Sequence, residues 1–143
     1  MTSRRMTIAF DELLRQARET LRPRRLSAFA EAGGVAAALV SADGRIFTGV
    51  CVDTTSSMGF CAEHAAAAAL ITAGESQVLK MVAVNWDGRI LPPCGRCREF
   101  ISQLHDQNRS TEVLVAEGKV VKLADLLPCD WKQVARSGVA DGA

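Results

Sequence analysis

The sequence contains no apolar run that approaches the roughly 20 residues a membrane-spanning helix requires. It has no marked excess of one charge either, since 17 lysines and arginines stand against 16 aspartates and glutamates, for a formal net charge of +1. This balance gives no support to bulk nucleic acid as a partner. The start of the chain also lacks the uninterrupted apolar core of a secretory signal. We therefore expect a cytoplasmic protein that binds neither membranes nor nucleic acid.

Charge is nevertheless unevenly placed along the chain. Many of the arginines lie near the amino terminus, with Asp11, Glu12 and Glu19 among them. A helical face in water explains this mixture better than a phosphate-binding arm does. The arginines in question are Arg4, Arg5, Arg15, Arg18, Arg22, Arg24 and Arg25.

The length of 143 residues predicts a single domain that spans residues 1–143. An amphipathic helix begins near Phe10 and stops before Pro23, and a hairpin turns at Asp43-Gly44. The later segments predict a helix from Cys61 to about Thr72, a buried strand in "VLKMVAVNW", a helix after Pro93, a strand–turn–strand in "TEVLVAEGKVVKL", and a short last helix in "LADLLP". Because strands alternate with helices, we expect an α/β fold with three layers, in which helices cover both faces of one mixed sheet of about five strands.

The chain has five cysteines, and in a reducing compartment these indicate metal binding or catalysis before disulfides. Two of them, Cys94 and Cys97, stand three apart in "PPCGRCREF". In the first turn of a helix this spacing puts both thiols on the same side, and Pro93 suits the entry to such a turn. A helix start also favours the ionised thiolate. Taken alone, the pair fits a redox dithiol as well as half of a metal site.

A third thiol in "FCAEHAAAAAL" favours the metal site. Cys61 stands at the start of another predicted helix, so three thiolates from two helix starts can form a tetrahedral zinc site with one open position. His64 is the only serious candidate to close that position. Glu63 lies two residues from a ligand, within reach of a metal-bound water whose proton it can accept. Neither Cys51 nor Cys129 is well placed as a ligand, and both are expected to be small buried apolar residues.

Together, "CAE" and "PCGRC" resemble the signature of the zinc-dependent cytidine deaminase family. The segment "VAAALVSADGRIFTGVCVD" is similar to that family's first hairpin, and "LADLLP" with Trp131 is similar to its closing helix and aromatic residue. The resemblance runs from about Val35 to Trp131. Within the family, "DGRIFTGV", "CGRCR" and "LLP" look closest to the blasticidin S deaminases, which are small tetrameric enzymes that act on a cytosine-containing antibiotic.

The resemblance implies that Cys61, Cys94 and Cys97 bind one zinc ion per chain and that Glu63 is the proton shuttle. A water activated by zinc would attack C4 of a cytosine-like ring, while Glu63 protonates N3 and then the departing amine. The backbone N–H of Ala62 would hold the ring's carbonyl oxygen. The resemblance also implies a homotetramer whose neighbours close each pocket.

His64 and Arg96 are candidates to offset the negative charge of the zinc centre. Three thiolates on one dication leave it net negative, so a cation near the sulfurs would help to acidify the water. Many relatives place an arginine where His64 stands. The blasticidin branch lacks that arginine, and Arg96 matches its own "CGRC". We expect Arg96 to be the cation that faces the sulfurs.

Substrate recognition is expected to differ from that of the ordinary nucleoside enzymes. Their ribose-binding Asn falls at Cys51 and their ribose-binding Glu at Asp53, and Trp131 is a further candidate for substrate contact. Cys51 cannot make a comparable pair of hydrogen bonds. The prediction is therefore a zinc-dependent hydrolytic deaminase of a small aminated heterocycle, such as a modified cytidine or a blasticidin S-like antibiotic. The alternatives are a zinc-stabilised binding module without activity and, after it, a thiol oxidoreductase.

Overall fold

The structure is a computed structural model that describes residues 8–138; Arg4 and Arg5 of the arginine-rich segment lie outside it. Four α-helices are described: α1 (Phe10–Thr20), α2 (Ala62–Thr72), α3 (Gly95–Leu104) and α4 (Trp131–Gly138). The strands are β1 (Arg24–Ser27), β2 (Ala30–Ser41), β3 (Ile46–Thr54), β4 (Val78–Val84), β5 (Glu112–Ala116) and β6 (Lys119–Lys122). Short 3-10 turns span Thr55–Ser57, Asp106–Ser110 and Leu123–Leu126. Within this part of the chain, no helix is long and apolar enough to cross a membrane.

The six strands form one mixed sheet, as expected for the predicted fold class. Strand β2 lies antiparallel to β1, β3 and β4, whereas β4 and β5 are parallel and β5 and β6 form a hairpin. Strand β1 raises the number of strands to one more than expected. Its sequence, "RRLS", does not alternate between apolar and polar residues, and all four residues are exposed.

Helices cover both faces of the sheet, which confirms the three-layer arrangement. On one face Leu13, Leu14 and Ala17 of α1 pack on β2 and β4. On the other face α2 and α3 pack on the sheet through residues such as Leu70 and Ile101. The first face is closed by a helix with a narrow apolar stripe, whereas the second carries both cysteine-bearing helix starts.

Strand β3 and α2 approach each other closely at Gly49. A Cβ atom at this position would lie 2.4 Å from the backbone nitrogen of Ala66 and 2.7 Å from the Cβ atom of Ala65. Any side chain here would therefore push the helix off the strand, because such contacts are far inside van der Waals distance. The close approach keeps the start of α2 beside the end of β3, where Cys51 and Asp53 lie.

The carboxyl-terminal part differs from the sequence prediction. The segment "LADLLP" contains only a 3-10 turn, and it is not the last helix of the chain. Helix α4 follows it and is held by ion pairs, with Lys132 2.9 Å from Glu99 of α3 and Arg109 2.6 Å from Asp130. Because these contacts join residues more than 20 positions apart, the local sequence pattern did not reveal them.

Candidate active site

Three thiols converge where α2 and α3 begin. Cys61 and Cys94 are the N-cap residues of these helices, and both have an extended backbone. Cys97 lies in the first turn of α3 and is buried. The Sγ atoms of Cys61 and Cys94 are 3.6 Å apart, and those of Cys94 and Cys97 are 3.5 Å apart. The structure therefore brings together the three cysteines that the sequence singled out.

This set of donors fits a zinc ion. With Zn–S bonds of ~2.3 Å, tetrahedral coordination separates two sulfurs by about 3.8 Å, close to the separations seen here. Cys61, His64 and Cys97 also form a group whose ligand atoms all lie within 4.8 Å of one another. All five cysteines are free thiols, so no disulfide competes for these sulfurs. The cysteines can therefore hold the ion through sulfur, and the Nδ1 atom of His64 lies 3.4 Å from the Cys97 sulfur.

His64 lies behind the sulfurs. Its Nδ1 atom is 3.4 Å from the Sγ atom of Cys97, and its ring stacks on Phe100 of α3 with 4.2 Å between ring centroids and an interplanar angle of 12°. Burial lowers the pKa of His64, and the positive charge of Arg96 lowers it further. The ring does not line the pocket that Cys61 and Cys94 face. This placement suits an N–H donor to sulfur, and the same nitrogen is within reach of a bound metal.

Burial dominates the electrostatics of the thiols. It strongly raises the pKa of Cys97, with Glu63 and the other two sulfurs adding to the effect, and it also raises the pKa of Cys61. At Cys94 burial acts in the same direction, but hydrogen bonds from the backbone of Cys97 and Arg96 and from the neighbouring thiols outweigh it and lower the pKa. Two of the three sulfurs thus resist ionisation unless a cation lies among them, and a dication supplies that charge.

Glu63 places a carboxyl group beside the sulfurs. Its side chain is only 4% exposed and it lines the same pocket as Cys61 and Cys94. Burial raises the pKa of Glu63, which means that its proton is held more tightly than that of a carboxyl group in water. A carboxyl group of this kind is suited to receive a proton and to release it again within one reaction.

The pocket in front of these groups has a volume of about 600 Å³. Ala62 lines it as the first residue of α2, where a backbone N–H has no acceptor within the helix. Leu91 and Pro92 form the wall on the α3 side. Phe60 also lines the pocket, and the sequence reasoning missed it, although an aromatic residue directly before the metal-binding motif was an available signal.

Cys51 and Asp53 lie together at another part of the pocket wall, because residues two apart on β3 share a face of the sheet. The Sγ atom of Cys51 accepts a hydrogen bond from the Val35 backbone N–H at 3.3 Å and is 3.9 Å from Oδ2 of Asp53. The thiol is therefore engaged within the chain, whereas the Asp53 carboxylate is exposed to the pocket.

The remaining candidates take separate places. Arg96 is exposed and lines the pocket, while its backbone N–H, rather than its guanidinium, bonds the Cys94 sulfur. Trp131 does not line the pocket of its own chain; it lies 59% exposed on α4, and its Nε1 donates a hydrogen bond to Glu99 at 3.2 Å. Cys129 is exposed rather than buried, contrary to the sequence prediction.

The chain is similar in sequence and in fold to known deaminases. Residues 11–112 match the family model described as the cytidine and deoxycytidylate deaminase zinc-binding region. A cytidine deaminase of Mycobacterium tuberculosis is 38% identical over 95 residues, which are 65% of this chain and 68% of the relative. The crystal structure of cytidine deaminase from Mycobacterium leprae superposes with a TM-score of 0.72 and 28% identity, covering 85% of this chain and 99% of the other. The crystal structure of cytidine deaminase from Burkholderia pseudomallei superposes with a TM-score of 0.67 and 29% identity, covering 85% of this chain and 98% of the other.

Proposed function

Since the chain belongs to the cytidine and deoxycytidylate deaminase zinc-binding family and is a zinc-dependent hydrolytic deaminase, we propose that it releases ammonia from a cytosine-containing nucleoside or nucleoside antibiotic. In this proposal Cys61, Cys94 and Cys97 hold the zinc ion, and Glu63 moves the protons. The observation that carries it is that three sulfurs meet beside one buried carboxyl group, with Cys61, Cys94 and Glu63 lining a single pocket.

The residues divide the chemistry among them. When bound, zinc supplies a charge that polarises a water molecule and makes it more acidic. Glu63 accepts a proton from that water and delivers it to N3 of the ring, while the remaining hydroxide forms a bond to C4. Glu63 then takes the proton of the new C4 hydroxyl group and passes it to the amine; the C4–N bond breaks, ammonia leaves and a carbonyl group remains at C4. The Ala62 N–H donates a hydrogen bond to the ring's carbonyl oxygen. Leu91 and Pro92 limit the space beside the departing amine.

His64 acts in this proposal as a hydrogen-bond donor to the Cys97 sulfur. Its ring lies flat on Phe100, on the side of the sulfurs away from the pocket, so the position that faces the substrate stays open for water. If His64 bound the metal instead, four protein ligands would close the coordination sphere and leave no place for water. Arg96, which lines the pocket, is near enough to His64 for its positive charge to act on the imidazole ring.

Replacing His64 with glutamine separates these two roles. Glutamine keeps an N–H donor, so we expect the variant to retain about one zinc ion per chain and to lose no more than about tenfold in kcat/KM. Zinc content by mass spectrometry and steady-state kinetics make the measurement. A fall below about half an ion per chain would instead identify His64 as a ligand.

The part of the pocket at Asp53 limits which substituent the cytosine ring can carry. The Cys51 sulfur accepts from the Val35 backbone N–H and lies 3.9 Å from Oδ2 of Asp53, and the exposed Asp53 carboxylate is an acceptor that a substituent on the ring can reach. A carboxylate accepts hydrogen bonds only, so that substituent must offer a hydroxyl or an amine. The ribose of cytidine, a modified cytidine and a blasticidin S-like antibiotic all satisfy this requirement. Trp131 remains a candidate contact from a neighbouring chain.

Ammonia release from a panel of aminated pyrimidines, pterins and cytosine antibiotics tests the proposal. We expect turnover of at least one cytosine derivative and none of the pterins. Full zinc content without turnover of any compound would favour a binding module that has lost activity. Disulfide reduction through Cys94 by protein that contains no zinc would favour a thiol oxidoreductase.

We further propose a cytoplasmic homotetramer in which neighbouring chains close each pocket. Three apolar side chains stand at or beside the mouth of the pocket and are exposed in the single chain: Phe29 at 69%, Met58 at 78% and Phe60 at 41%. Phe29 lines an adjoining cleft that shares Asp53 with the pocket. Apolar groups around a pocket that must exclude water favour burial against another chain. Thiol ligands also remain reduced in the cytoplasm.

Light scattering on the purified protein tests the oligomeric state. We expect a mass of about four chains, and we expect Met58→Glu to shift the protein towards smaller species, because a charge would be buried at the contact. Glu117→Lys, which changes charge on an exposed turn between β5 and β6, is the control. A wild-type protein that is monomeric at catalytic concentrations would contradict the tetramer while leaving the zinc site intact.

A further inference from the structure

The segment that leads into α3 has few ways to be held in place. Residues 91–94 read Leu-Pro-Pro-Cys, and the two prolines have no backbone N–H to donate. The Leu91 N–H bonds the Ala83 carbonyl at 2.9 Å, which anchors the start of the segment. Beyond that point only carbonyl oxygens are available in Pro92 and Pro93. Something else must therefore donate to them if the position of Cys94 is to be fixed.

Arg98 is that donor. Its Nε atom donates to the Pro93 carbonyl oxygen at 2.7 Å, and its Nη1 atom donates to the Leu126 carbonyl oxygen at 3.4 Å. Among residues 8–138, this is the hydrogen bond that reaches the backbone of the two prolines. The side chain is partly buried, so its bonds are less exposed to competition from water than those of a surface arginine.

Helix stability does not account for an arginine at this position. The first turn of α3 has no acidic residue and contains both Arg96 and Arg98. Cations are favoured at the carboxyl end of a helix, where the backbone dipole is negative, and not at its start. The benefit of Arg98 must therefore come from the carbonyl groups that it binds.

The bonded carbonyl belongs to the peptide unit that leads directly into Cys94. Because a peptide unit is planar, fixing the Pro93 oxygen also fixes the direction in which the Cα atom of Cys94 leaves that plane. Cys94 is the exposed member of the three thiols, so the surrounding core restrains it least. Its sulfur must nevertheless stay 3.6 Å from that of Cys61 and 3.5 Å from that of Cys97.

We propose that Arg98 is a positioning residue for the metal site: its guanidinium joins the Pro93 carbonyl to the 3-10 turn at Leu126 and so holds the Cys94 sulfur towards Cys61 and Cys97. This inference rests on the proposed function, because it takes Cys94 as a zinc ligand. A planar guanidinium that is held at two points restricts the loop more than a single ammonium group can. The same contact keeps Pro92 in place as a wall of the substrate pocket.

The test compares Arg98→Gln and Arg98→Lys with wild type and with Arg89→Gln. Arg89 is an arginine whose side chain is 86% exposed and does not line the pocket, so it controls for the loss of one positive charge. The first readout is the rate at which zinc passes to an excess of a chromogenic chelator. The second is the absorption of the cobalt-substituted protein, which reports the thiolate–metal geometry. The third is kcat and KM on the best substrate.

We expect Arg98→Gln to lose zinc about 10- to 100-fold faster than wild type and to lose kcat by a similar factor, with a changed cobalt spectrum. Arg98→Lys should have a zinc-release rate and a kcat between those of wild type and Arg98→Gln, because the lysine ammonium group can reach one carbonyl but not both. Arg89→Gln should match wild type. If Arg98→Gln does not fold, the same comparison of release rate and spectrum is made with Arg98→Lys.

If the folded variants release zinc at the wild-type rate and give the wild-type cobalt spectrum, the role proposed for Arg98 is overturned. That result would leave the proposed function standing, provided that wild type binds zinc and depends on Glu63. Wild-type protein that binds no zinc would overturn both.

Discussion

Glu63→Gln is expected to lower kcat by about 10⁴-fold while zinc stays bound at about one ion per chain. Glutamine has nearly the same shape as glutamate, so the buried position at the start of α2 remains filled. It cannot accept a proton from water at neutral pH, however, and it therefore cannot deliver one to the ring or to the amine. Ammonia release under saturating substrate and zinc content on the same sample make the measurement.

The control for this prediction is Glu117→Gln, which makes the same chemical change on an exposed turn that does not line the pocket. It should retain wild-type turnover. Activity within about tenfold of wild type in Glu63→Gln would remove Glu63 from the proton-transfer role. Loss of zinc together with activity would show instead that the carboxylate supports the metal.

Cys97→Ser is expected to abolish zinc binding and activity together. Cys97 is 1% exposed, its sulfur lies 3.5 Å from that of Cys94, and it contacts the Nδ1 atom of His64. A serine oxygen is a poorer zinc ligand than a thiolate and reaches less far. Because zinc binds the folded chain and not the unfolded one, it stabilises the folded state. Loss of the ion should therefore lower the melting temperature by about 10 °C. Metal analysis and thermal unfolding test both effects.

Cys129→Ser provides the matched control, because Cys129 is an exposed free thiol outside the pocket. It should keep full zinc content and an unchanged melting temperature. Cys97→Ser protein with about one zinc ion per chain would show that Cys97 is not a ligand.

The site was predictable from the sequence to the extent that its geometry is local. Cys94 and Cys97 share a helix turn, so their spacing alone brings the two sulfurs together. Cys51 and Asp53 share a strand face for a similar reason. Both helix starts were predictable because a strong helical pattern follows Cys61 and Cys94. That these two starts meet depends on the way α2 and α3 pack on one face of the sheet, which residue spacing does not determine.

Contacts between distant segments were less accessible. Arg98 lies only one residue from Cys97, but nothing in the spacing shows that its guanidinium turns back to Pro93 and reaches Leu126. Trp131 was a candidate for substrate contact, but nothing in the pattern showed that its Nε1 atom donates a hydrogen bond to Glu99 of α3. Strand β1 escaped notice because it is held by pairing with β2 rather than by apolar side chains. In each case a partner far along the chain determines the structure.

X-ray absorption at the zinc edge on the purified wild-type protein tests the arrangement of the metal site most directly. The proposed ligands predict three sulfur neighbours at ~2.3 Å and one oxygen at ~2.0 Å, without the scattering pattern of a bound imidazole ring. Protein that contains no zinc, or a zinc ion with two sulfurs and an imidazole, would contradict the account.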